Sequence, residues 1–154
     1  MKLIKPIVGE TPLIKISSKI YAKLETYNPA GSVKDRMITY VVDKARMFGR
    51  INDNSILSMG LPCLIFMPGN MSEERRQMMR AYGAKIIEAP DDDFVGAIAM
   101  RDQYLKANEN AWSPMQFSNQ ENVYCHQHQT APEIHKQVIE RKYLWSAFIH
   151  GAGT

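Results

Sequence analysis

The chain has 154 residues, 45% of them hydrophobic and 23% charged, which is enough apolar content for one globular domain with its own core. Lys and Arg number 19 against 16 Asp and Glu, a net charge of +3 from scattered residues, and this excludes a nucleic-acid footprint. No apolar run approaches the roughly 20 residues of a membrane span, and two cysteines with no leader pattern at residues 1–6 predict a reducing, cytoplasmic setting without a disulfide framework.

In chain order, β-like runs at 13–16 and 20–24 precede a helix over 33–48. Ser32 is placed to cap that helix and Asp35 to close a capping box, with Ile38, Val41, Val42, Ala45 and Phe48 at helical spacing and Gly49 as the stop. A strand over 61–67, a helix over 72–82 ended by Gly83 and a strand over 85–89 predict parallel strands joined by a right-handed crossover. Met67, Met71, Met78 and Met79 read as flexible filler of the core. Asp91, Asp92 and Asp93 form an acidic turn that starts a helix over 94–107. A helix over 131–141, capped by Thr130 with Glu133 reaching back, and a strand over 147–150 complete the list, with Trp112 and Trp145 as packing residues. This alternation predicts an α/β fold with a mostly parallel open sheet.

Two segments bear on chemistry. Lys34 falls in the first turn of a helix behind a small-residue turn, where the helix dipole disfavours a cation, and such a lysine suits a Schiff base. A solvated surface lysine beside an ordinary cap explains the same spacing, so spacing alone leaves the role open. Cys125, His126 and His128 are competent zinc ligands, but only His135 and His150 follow, with no second pair at ligand spacing, and no metal site is expected.

The wider pattern is more specific. N-P-A-G-S-V-K-D-R over 28–36 resembles the lysine motif N-P-G-G-S-V-K-D-R of the cysteine synthase and cystathionine β-synthase family, with Ala30 in place of one glycine. G-E-T-P-L over 9–13 is similar to that family's G-N-T-P-L, M-P-G-N-M-S-E-E-R-R over 67–76 to its M-P-x-x-M-S-x-E-R-R, and Q-F-S-N over 116–119 to Q-F-x-N. G-A-G-T over 151–154 resembles the first half of the family's phosphate loop, G-x-G-T-G-G-T.

The resemblance implies a fold-type II pyridoxal-phosphate enzyme with helices on both faces of the sheet. Residues 1–34 would supply strands and the lysine loop of the large domain, 35–145 the small domain, and 146–154 the return strand and start of the phosphate loop. It implies that Lys34 holds pyridoxal 5'-phosphate, Gly153 and Thr154 bind its phosphate, and Gln116 binds the substrate carboxylate. The implied reaction is β-replacement on a small-molecule amino acid, O-acetylserine and sulfide giving cysteine, by a homodimer with no nucleic-acid or membrane partner.

One internal departure stands out. The family's strand, T-S-G-N-T-G loop and helix should lie near 56–60, and only a few residues intervene there. The expectation is therefore a chain that is incomplete or inactive alone. The alternative is a non-catalytic remnant or interaction module that keeps the small-domain fold.

Overall fold

The structure is a computed structural model that describes residues 7–51 and 63–151. The departure near 56–60, and Gly153 and Thr154, lie outside the described residues. The chain divides into two compact units, residues 1–44 with 114–154, and residues 45–113.

In the first unit, β1 (Leu13–Lys15) and β2 (Tyr21–Lys23) form an antiparallel hairpin with Leu13 opposite Lys23 and Lys15 opposite Tyr21. The Ile16 N–H donates to the Ile20 carbonyl at 2.9 Å to close the turn. A single 3-10 turn, Glu25–Tyr27, leads to the lysine loop and α1 (Lys34–Met47).

The buried stripe of α1 is Met37, Val41 and Ala45, four residues apart, whereas Ile38 and Phe48 from the expected stripe are exposed. The inward face is shifted because Asp35 and Arg36 are themselves buried beside Met37. α1 ends where the Gly49 N–H reaches the Arg46 carbonyl and the Arg50 N–H reaches the Ala45 carbonyl, at 3.0 and 2.9 Å. This pair of bonds satisfies the last carbonyls of a helix.

Farther along, α4 (Gln120–Cys125), a π-helical turn (His126–Thr130) and α5 (Ala131–Glu140) run without a break. Thr130 therefore sits inside helical backbone, with φ −66° and ψ −48°, and makes no capping hydrogen bond, contrary to the sequence expectation. Pro132 is accommodated because its missing N–H falls at the π-to-α junction, where the ladder is already re-registered. Leu13 from β1 packs with Ile134 and Val138 from α5, flanked by Tyr21 and Tyr143, whose ring centroids lie 4.0 Å apart.

The strand expected over 147–150 does not form. Among the described residues no neighbouring strand offers that segment a ladder, and an isolated extended segment gains nothing from β-propensity alone. Phe148 and Ile149 are exposed, and Trp145 is half exposed with its edge toward Phe148, so it is not the packing residue its position suggested.

The second unit holds the strand, helix, strand unit. β3 (Cys63–Pro68) and β4 (Ala84–Ala89) pair in parallel, with Cys63 opposite Ala84 and Pro68 opposite Ala89, as the short connections predict. α2 (Glu73–Ala81) lies between them in sequence and contributes no fully buried residue. Met67 is buried as expected, but Met78 is 46% exposed and does not fill a core.

After β4, Asp93 caps α3 (Phe94–Ala107) by accepting the Gly96 N–H at 2.7 Å, so the acidic turn does start the helix. The fold is mixed α/β with a parallel strand pair and flanking helices. No helix among the described residues is long and apolar enough to cross a membrane.

Gly96 shows how a cap can reverse a propensity. Alanine ordinarily stabilises a helix over glycine by about 1 kcal/mol, yet a Cβ at Gly96 would collide with the Asp93 carboxylate. Gly96→Ala is expected to bring none of that gain in urea unfolding, because the displaced cap, worth about 1 kcal/mol, offsets it. In an Asp93→Ala background the same substitution should be stabilising.

Candidate active site

The lysine loop is organised by short hydrogen bonds. The Ser32 Oγ accepts the Lys34 N–H at 3.1 Å, which caps α1 as the sequence predicts. Asp35 does not complete the box on Ser32; its carboxylate accepts the Ala30 N–H at 2.6 Å instead. The bend at Gly31, with φ +80°, folds that N–H back over the first turn of α1. Gly31 is the residue that needs left-handed backbone, and Ala30 does not, so the exchange of glycine for Ala30 adds no backbone strain.

Asn28 ties the loop down. It is 4% exposed, and its Nδ2 donates to the Glu25 carbonyl at 3.1 Å, to Glu25 Oε2 at 2.7 Å and to the Ser32 carbonyl at 3.1 Å. Its Oδ1 accepts the Gly9 N–H at 2.9 Å.

Lys34 is exposed, and its ammonium has no hydrogen-bond or ion-pair partner among the described residues. It lies in one electrostatic neighbourhood with His126 and His150. Burial first, then the positive charges of Arg36, His150 and Lys34, push the His126 imidazole below its ordinary value, with Glu25 opposing. The His126 ring is held by its own helix, with Nδ1 3.0 Å from Thr130 Oγ1. An accessible amine at the capped start of a helix fits a carbonyl-bearing cofactor.

Gln116 is half-buried in the turn before α4, and its carbonyl accepts from Asn122 Nδ2 at 3.1 Å. Asn119 of the same motif caps α4, accepting the Glu121 N–H at 3.0 Å and donating from Nδ2 to the Pro114 carbonyl at 2.9 Å. The structure thus places Gln116 and Lys34 in the same unit, at the starts of α4 and α1.

Cys125 is completely buried, which pushes its thiol up to about 11 although the Arg36 charge pulls the other way, and its Sγ faces Gln129 Oε1 at 3.9 Å. Among the described residues no three of His, Cys, Asp and Glu converge as metal ligands.

Sequence reasoning missed the ion-pair cluster behind the lysine. Arg36 is 2% exposed and bonds two carboxylates through paired nitrogens. Its Nε and Nη2 reach Glu25 at 2.7 and 2.8 Å, and its Nη1 and Nη2 reach Glu133 at 2.7 and 2.9 Å. Thr11 Oγ1 accepts from Arg36 at 3.0 Å and donates to Glu25 at 2.7 Å.

Glu133 also accepts the Glu10 and Thr11 N–H groups, at 2.9 and 3.1 Å, and pairs with Lys23. It was expected to cap its own helix. Burial alone would raise the Glu133 carboxyl, but the bonds from Arg36, Lys23 and the Glu10 N–H outweigh it and hold the group down at about 2. Glu25 is lowered in the same way, its burial outweighed by Arg36, Thr11 and Asn28. The only signal in the sequence was an acidic residue in the first turn after Pro132.

With this geometry in place, the comparisons with known proteins are specific. A model of the pyridoxal-phosphate dependent enzyme family matches residues 57–154, and the chain belongs to that family. The cysteine synthase of Staphylococcus aureus is 31% identical over 175 aligned positions, which take in 98% of this chain and 56% of that protein.

Among solved structures, an O-acetylserine dependent cystathionine beta-synthase from Helicobacter pylori superposes with a TM-score of 0.76 at 30% identity, covering 85% of this chain and 52% of that one. A cysteine synthase from Entamoeba histolytica gives 0.77 at 30% identity, covering 86% and 48%. The chain spans about half the length of the curated relatives it matches. An alignment of 175 positions against 154 residues also means that the Staphylococcus aureus relative carries positions with no counterpart here.

Removing one charge from the cluster leaves the others buried without full compensation. Glu133→Gln is expected to cost about 3 kcal/mol at pH 7 by urea unfolding. The folded-state value of Glu133 lies below the ordinary 4.5, so its contribution is complete above that pH and is lost as pH falls toward about 2. The gap in stability between wild type and Glu133→Gln should therefore shrink as unfolding is measured from pH 5 down to pH 2.

Proposed function

We propose that the chain provides the lysine-bearing part of a cysteine synthase site, acting on O-acetylserine or a similar β-substituted serine with sulfide as nucleophile. The observation that carries this reading is the exposed Lys34 amine, without a partner among the described residues, at the capped start of α1, within a motif that resembles the family's lysine motif. Lys34 would hold pyridoxal 5'-phosphate through its Nζ, and the backbone N–H groups of Gly153 and Thr154 would face the phosphate. When bound, the cofactor supplies an electron sink for the carbanion left at the substrate α-carbon.

The chain's own groups do the rest. The Lys34 Nζ, as a free amine, would be the base that takes the α-proton of the substrate. The Gln116 amide would donate to the substrate carboxylate and orient that proton toward Lys34. The same reading takes the working form to be a cytoplasmic homodimer.

A second reading has an observation in its favour. The chain lacks a T-S-G-N-T-G loop, and its relatives carry positions with no counterpart in it, which supports a non-catalytic remnant or interaction module.

Two measurements separate these readings. With saturating cofactor, the 154-residue chain is expected to form cysteine from O-acetylserine and sulfide at background rate, because misplaced or missing donors cost orders of magnitude. A chimera that adds the loop and the remaining family segments should turn over, and inactivity of both would favour the remnant. Independently, any visible absorbance band that pyridoxal 5'-phosphate develops on the chain should vanish in Lys34→Ala. A band that survives the substitution would remove Lys34 from its role.

A further inference from the structure

A continuous set of hydrogen bonds runs from the middle of the long helix to the lysine turn. Glu133 on α5 grips Arg36 at 2.7 and 2.9 Å, and Arg36 grips Glu25 at 2.7 and 2.8 Å. Glu25 Oε2 accepts from Asn28 Nδ2 at 2.7 Å, the same Nδ2 donates to the Ser32 carbonyl at 3.1 Å, and Ser32 Oγ accepts the Lys34 N–H at 3.1 Å. In the other direction, α5 continues through the π turn into α4, where Asn122 Nδ2 holds the Gln116 carbonyl at 3.1 Å.

We propose that Glu133 is a positioning residue, which fixes the lysine turn against the helix that carries Gln116 and so sets the span between the Lys34 amine and the substrate subsite. The proposal rests on the cysteine synthase reading of Lys34 and Gln116. Its physical basis is the absence of slack. Glu133 meets the Arg36 fork through both oxygens, and two further backbone N–H groups and Lys23 hold the carboxylate from the remaining directions.

Glu25 belongs to the loop it braces, whereas Glu133 reaches Arg36 across 97 positions of sequence. A group held in this way can locate an amine to within the tolerance a reaction demands. A purely structural Glu133 would change stability and leave the reactivity of Lys34 alone.

The test uses the whole chain and pyridoxal 5'-phosphate with borohydride, and mass spectrometry of the pyridoxylated lysines. In wild type, Lys34 should be labelled in preference to the other lysines. Glu133→Gln, checked for folding by circular dichroism, should lose that preference, while Glu140→Gln, an exposed change on the same helix at a residue paired with Lys136, should keep it. A folded Glu133→Gln chain with undiminished preference for Lys34 overturns the proposal. If Glu133→Gln does not fold, Glu133→Asp, with the charge kept and the reach shortened, is read by the same criterion.

Hydrogen exchange reads the same device without cofactor. Amides 30–36 and 133–138 of wild type should open as one cooperative unit, and independent opening of the two segments overturns the proposal whatever the variants do. Absence of any Lys34 preference in wild type, with the two segments opening together, would instead defeat the cofactor reading and leave the brace in place.

Discussion

A guanidinium that is 2% exposed can be held in a protein only if its hydrogen bonds and its charge are both answered, and the first unit is arranged around answering Arg36. Glu25 and Glu133 supply two carboxylates, and Lys23 balances the second of them, so the cluster closes at zero net charge. To assemble it, the segment preceding β1, the turn after β2, the first turn of α1 and the start of α5 must all converge. Gly9 shows how tight the convergence is. Its φ is +87°, and a Cβ there would lie 3.0 Å from Arg36 Nη1 and 3.3 Å from Glu133 Oε2. Replacing the cluster by apolar residues would not obviously weaken the fold, but breaking one member of it would.

This dependence explains which features were legible in the sequence. The strand, helix, strand unit was readable because the alternation of apolar runs, the stop at Gly83 and the cap at Asp93 are local signals, and each acts within its own element. The Lys34 turn was readable for the same reason, since Ser32, Gly31 and Asp35 act within a few residues. The partners of Glu133 were not readable. A glutamate in the first turn of a helix ordinarily reaches back to its own cap, and nothing in its neighbourhood announces an arginine 97 positions away.

The rotation of the α1 stripe follows from the same cluster. Periodicity placed Ile38, Val41, Val42, Ala45 and Phe48 inward; Val41 and Ala45 are buried as expected, but Met37, next to the buried Arg36, takes the inward place of Ile38. A buried charge thus overruled a hydrophobic pattern by the width of one residue. The expected strand over 147–150 failed for a different reason. Its residues have strand character, but a strand is a property of a pair, and the described residues give that segment no second member.

The π turn carries a consequence of its own. Successive residues of an α-helix are separated by about 100°, so Cys125 and Ile134, nine positions apart, would point in opposite directions on a regular helix. Both are buried. The wider turn at His126–Thr130 absorbs one residue and brings the two side chains to within about 80° of each other. Reading frame in this helix is therefore also a matter of rotation. Deleting a single residue within the turn would give a smoother helix with better hydrogen bonds and would leave Cys125 and the Gln116 turn where they are relative to Glu133, whereas straightening the turn at its full length would swing them about 100° around the axis.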